Sequence, residues 1–237
     1  MTTTTDSTPG RLRRRLAVVA AFAIAMAWVE SAAVFYLRRL VDRMDPYQPN
    51  PLPLDGGIGW AEVVREAATM VMLLSVGWLA GRTSRARLGA FVMAFGLWDI
   101  FYYVCLRVMI GWPRSLFDWD ILFLIPLPWW GPVLAPTLIA ALMVIGGALL
   151  MLNDRPATSA PFWPAKWAQI FSGIGVVLAL YVFMADAIHA VRHGESLQHL
   201  LPQSFNWPLF LVAWVLMAVS AADLGRQYLA RRAGGRV

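Results

Sequence analysis

Residues 98–136 read WDIFYYVCLRVMIGWPRSLFDWDILFLIPLPWWGPVLAP. The first third is an apolar helix that carries Asp99, Tyr103 and Arg107 at four-residue intervals, so the three share a stripe. An ionised group in a membrane span is costly and is therefore paired, turned to the bundle interior and functional. Beyond Arg107 come Asp118 and Asp120, then an apolar run broken by Pro126, Pro128 and Pro132. Proline removes a backbone donor and clashes with the preceding turn, so this run cannot continue as helix. Non-helical apolar backbone at membrane depth is tolerated only when buried in protein. The stretch therefore predicts a re-entrant or interfacial Trp/Pro-rich segment packed over a helical bundle, with a polar site close beneath it.

Working outward, apolar runs at 16–37, 60–80, 88–110, 133–152, 167–188 and 207–228 are each about 20 residues, enough for a hydrocarbon core of roughly 30 Å. The expected fold is an all-α integral membrane protein, a six-transmembrane-helix bundle occupying 11–232 as one domain. Residues 1–10 (MTTTTDSTPG) are polar and low in complexity, a disordered cytoplasmic start, and 233–237 a cytoplasmic tail. The first run follows RLRRR as a signal peptide would, but it has full spanning length and reads as a retained helix. The 42–57 connector, DRMDPYQPNPLPLDGG, is Pro-rich and reads as an extended, semi-rigid cover. No internal repeat supports an inverted-repeat transporter.

The composition agrees: 59% of the 237 residues are hydrophobic and 14% charged, with a mean hydropathy of +0.59, too apolar for a soluble domain. The net charge of +6 sits in short clusters flanking the spans, the pattern of orientation signals rather than of a nucleic-acid surface. One flank set holds Arg11, Arg13, Arg14, Arg15, Arg82, Arg85, Arg87, Arg155, Lys166, Arg226, Arg231, Arg232 and Arg236. The other holds roughly half as many, so both termini are expected in the cytoplasm, in the inner (plasma) membrane of a bacterium. Cys105, the single cysteine, permits no intrachain disulfide or thiolate cluster.

Given that orientation, the polar residues of the spans gather in the outer half: Glu30, Glu62, Arg65, Glu66, Asp99, Tyr102, Tyr103, Arg107, Asp186, His189 and His193. One reading is ion pairing that holds helices in register, Arg65 with Glu62 or Glu66, Arg107 with Asp99, and Arg192 with Asp186. Acid nevertheless exceeds base, and that excess points to a metal or a proton path. His189 and His193, four apart with Asp186 one turn earlier, can offer two imidazoles and a carboxylate to one divalent ion. Mixed N and O donors suit Zn, Fe, Mn or Cu. The HxxxH helix end resembles that of ceramidase-like and adiponectin-receptor-like membrane hydrolases, which add a third His and a Ser on other helices. The remaining histidine here is His199, in the following loop.

The leading expectation is thus a metal-dependent membrane enzyme acting on a lipid or other apolar substrate in the bilayer. Asp186, His189 and His193 would ligate the metal. Glu30, Glu66 or Asp99 would complete the site or act as general base, and Tyr102 or Tyr103 would donate to a developing oxyanion. The alternatives are a proton- or ion-coupled transporter, with Asp99 titrating and Arg107 as counter-ion, and a structural subunit whose charges pair within a homo-oligomer or with partner membrane subunits.

Overall fold

The computed structural model describes residues 8–42, 44–48, 57–152, 162–197 and 200–234. Among the described residues six helices are long and apolar enough to cross a membrane. They are α1 (Thr8–Leu40), α2 (Ile58–Ala80), α3 (Ser84–Ile110), α4 (Leu134–Leu152), α5 (Lys166–His193) and α6 (Trp207–Gly234). Five cover their expected spans, α4 starts one residue inside its own at Leu134, and most run beyond. The 33 residues of α1 reach about 50 Å at 1.5 Å per residue, so its arginine-bearing first turns extend past a hydrocarbon core. The expected disordered start at 1–10 overlaps the description only at Thr8–Gly10, which are helical; the rest of it, the 49–56 part of the Pro-rich connector, His199 and residues 235–237 lie outside the described residues.

Local sequence explains where the helices begin and end. Thr83 caps α3 by accepting the Ala86 N–H at 3.2 Å, and Asn206 caps α6 by accepting the Leu209 N–H at 3.1 Å. Gly111 and Gly194 close α3 and α5 with φ of 72° and 69°, a left-handed conformation that an L-residue with a Cβ adopts only at a cost.

The central helix is α3, which packs against α1, α2 and α4, while α5 and α6 form a second pair joined to α4. Small residues set the closest approach. A Cβ added to Gly147 would lie 2.5 Å from the Gly89 carbonyl oxygen, and one added to Gly175 would lie 2.6 Å from that of Ala213. Gly146 and Gly173, next to these, face open space, so close packing falls on one glycine of each neighbouring pair. The main core joins Val19, Ala23, Ala27, Leu73, Ala90, Ala94 and Met151 of the first four helices. Large apolar side chains such as Val29, Val71, Leu74, Val108, Ile145 and Val177 stay exposed around the bundle, as a lipid-facing surface requires.

The Trp/Pro segment is not helical, as its prolines require, but it has regular structure that the sequence reading did not anticipate. Trp119–Phe123 (β1) and Trp129–Pro132 (β2) pair antiparallel, with Asp120 opposite Gly131 and Ile121 opposite Trp130. A two-stranded ribbon is marginal alone, and this one is held on both sides. Gly131 lies so close to α5 that a Cβ there would meet the Phe183 ring at 2.8 Å. Above it, Tyr47 stacks on Trp119 and donates to the Pro202 carbonyl at 2.7 Å, so the described part of the Pro-rich connector does cover the ribbon.

Candidate functional site

Beneath the hairpin, α1, α2, α3 and β1 enclose a cavity of about 150 Å³. Among the described residues five carboxylates line it, Glu30, Glu62, Glu66, Asp99 and Asp120, against two guanidiniums, Arg38 and Arg65. The residues expected to act as acids, bases or donors, Glu30, Glu66, Asp99 and Tyr103, with Tyr102, are all on its wall. Its lining contains nothing from α4, α5 or α6.

Most of these charges have assigned work. Glu30, 5% exposed, accepts hydrogen bonds from Arg65 Nη1 and from Thr69 Oγ1. Arg65 also holds Glu62 within α2, Nη2 to Oε2 at 2.7 Å, so one guanidinium ties α2 to α1 through Glu30 while paired to a second carboxylate of its own helix. Glu66 accepts the backbone N–H of Leu124, with both oxygens at 3.0 Å. That N–H follows the last residue of β1, and a buried backbone donor needs such a partner. Arg38 Nη2 donates to Asp120 Oδ1 at 3.1 Å, with the two side chains 9% and 2% exposed, and its guanidinium lies 4.2 Å from the Trp112 ring centre.

Two carboxylates on the cavity wall are less fully paired. Asp120 Oδ2 meets no donor at strict geometry among the described residues, although the Tyr103 hydroxyl is directed at the same carboxyl as a donor. No described residue donates a hydrogen bond to Asp99, which faces Asp120 across the cavity as a like charge. Burial pushes the Asp120 carboxyl up to about 6, against the opposing pull of Arg38 and the Ile121 N–H.

Other expectations are corrected. Arg107 does not reach Asp99. It is exposed, and its Nη1 donates to the carbonyl oxygens of Gly111 and Pro113. Two four-residue steps turn a helix about 80°, which carries Arg107 off the cavity face while Tyr103 stays on it, and the free carbonyls of the helix end attract it. The Arg65–Glu62 pair does form.

Asp186, His189 and His193 do share a face of α5, but that helix packs on α6 and β2, away from the cavity. The two imidazole rings stack with centroids 4.1 Å apart, and His193 Nδ1 lies 2.9 Å from the His189 carbonyl oxygen. Among the described residues no group of three His, Cys, Asp or Glu is arranged to hold one ion. The expected single site is therefore two separate places in the fold.

Arg38 and Asp120 were missed as site residues. Arg38, beside Arg39 at a helix end, reads as an interfacial anchor, and only pairing with Gly131 tells Asp120 from the turn residue Asp118. Compared with protein-family models, curated proteins and solved structures, the chain matches none.

Proposed function

We propose that this polytopic membrane protein binds a small cation in the carboxylate cavity under the hairpin, a proton or a largely hydrated metal ion shared by Asp99 and Asp120, since no three carboxylates among the described residues converge on one point. The observation that carries the reading is the charge imbalance. Among the described residues five carboxylates meet two guanidiniums, and Asp99 has no hydrogen-bond donor, whereas Asp120 has Arg38 and the Tyr103 hydroxyl beside it. Two neighbouring carboxylates cannot both stay ionised in a low-dielectric site without a proton or cation between them. The donors are all oxygen, which suits a hard ion and, among Zn, Fe, Mn and Cu, favours Mn.

A cavity of about 150 Å³ has room for an ion and several waters but not for an acyl chain. That favours ion binding, in a transporter or an ion-responsive membrane protein, over chemistry on a lipid. In this reading the hairpin is an interfacial cover at the outer surface of a bacterial inner membrane and both termini are cytoplasmic, an orientation that the distribution of arginine supports.

The test is a titration of the purified full chain with Na⁺, Mg²⁺, Ca²⁺, Mn²⁺ and Zn²⁺ and with acid, read by tryptophan fluorescence and thermal stability. A saturable response that Asp99→Asn abolishes and a His189→Ala, His193→Ala variant retains is expected. A response lost in the histidine variant and kept in Asp99→Asn would move the site to α5, and no response at all would leave the carboxylates a purely structural role.

A further inference from the structure

At the opposite end of the bundle, the first turns of α1 and the last turns of α2 and α6 enclose a groove of about 910 Å³ lined by seven arginines. The bundle brings them together from distant parts of the sequence: Arg11, Arg13, Arg14 and Arg15 on α1, Arg82 just after α2, and Arg231 and Arg232 on α6. No carboxylate is among the described lining residues. Below this rim the wall is apolar, formed by Val18, Phe22, Val76 and Leu79.

We propose that this groove is a binding site for an anionic phospholipid, with the phosphate among the guanidiniums and an acyl chain along the apolar wall. Orientation alone would require only that positive charge flank the spans; it would not require a groove in which charge sits directly over an apolar wall. Guanidinium forks match phosphate oxygens in pairs, and basic pockets between spanning helices recognise acidic head groups. Two of the forks are steadied by rings, Arg231 at 5.1 Å from the Phe162 centre and Arg232 at 5.2 Å from that of Tyr228. A free phosphate could use the rim but has no use for Val18 or Leu79, 62% and 84% exposed, whereas an acyl chain covers both. The volume is in the range of built ligand sites, roughly 300–1,000 Å³.

The experiment is native mass spectrometry of the full chain in detergent with added phosphatidylglycerol, phosphatidylcholine or inorganic phosphate. Phosphatidylglycerol is expected to bind at least about tenfold more tightly than phosphatidylcholine. The Arg231→Gln, Arg232→Gln variant is expected to lose about tenfold or more of that affinity, while Arg107→Gln, at the other end, keeps it. Leu79→Gln should weaken phosphatidylglycerol and leave phosphate binding unchanged. Equal binding of the two lipids, unchanged binding in the double variant, or displacement of the lipid by inorganic phosphate at equal concentration would each overturn the proposal. Should the double variant fail to fold, the comparison of the two lipids on the parent chain and Leu79→Gln still decides it.

Discussion

Arg38, two residues from the end of α1, and Asp120, the second residue of β1 and its one buried position, form a buried ion pair with Nη2 to Oδ1 at 3.1 Å. The pair spans 82 residues of sequence and fastens the hairpin to the first helix. Breaking such a pair leaves one charge uncompensated, whereas removing both is tolerated far better. Arg38→Met alone is expected to cost about 3–5 kcal/mol, and Arg38→Met with Asp120→Leu to recover most of it. Chemical unfolding in detergent of both singles and the double measures the difference.

Asp120 also sets a pH dependence. Its folded-state value of about 6 exceeds the ordinary aspartate value of about 3.9. Between these values the folded chain holds more protons than the unfolded one, so stability contributed by this group falls as pH rises through that window and levels off above it. Thermal midpoints from pH 4 to 7 should decline in the parent relative to Asp120→Asn, which lacks the titrating group. Parallel curves would contradict the assignment.

Glu66 holds the hairpin from the α2 side. Glu66→Ala removes both acceptors of the Leu124 N–H and strands a part-buried donor, a loss of about 1–3 kcal/mol. Glu66→Gln keeps one acceptor and should cost less. Hydrogen exchange at the Leu124 amide should accelerate in the alanine variant first and more strongly.

Asp99 and Arg107 should behave as independent sites. Their effects on stability should add to within about 0.5 kcal/mol in a double-mutant cycle of Asp99→Asn and Arg107→Gln. Cation binding should follow Asp99 alone. A coupling of 1 kcal/mol or more would mean that the two side chains meet.

Gly147 and Gly146 differ in consequence although they are adjacent. An alanine at Gly147 would press on the Gly89 carbonyl and the Met93 N, 2.5 and 2.6 Å from its Cβ, and should cost about 1–3 kcal/mol by overpacking. Gly146→Ala meets nothing within 4 Å and should be neutral or slightly stabilising, because alanine suits a helix interior better. Thermal stability of the two single variants decides this.

Span number, approximate span limits and the depth of the acidic residues along their helices were legible in the amino-acid order, because they depend on local quantities. Twenty apolar residues must cross a bilayer as helix, and a charge within them must turn inward. The gathering of Glu30, Glu66, Asp99 and Tyr103 followed from depth along each helix, which residue counting supplies. What partnered them did not follow. Which rotational face each helix presents to which neighbour is set by close contacts such as Gly89 on Gly147, and these decide that Arg107 drifts off the cavity while Arg38 enters it. The strands were equally out of reach, since β1 and β2 are short apolar runs whose regularity comes from pairing with each other and from Phe183 and Glu66. Asp186 and the two histidines carry the same spacing in sequence and in space; only the packing of α5 on α6 and β2 separates them from the carboxylates. Depth is a property of one helix, whereas convergence on a site is a property of the helix pairs.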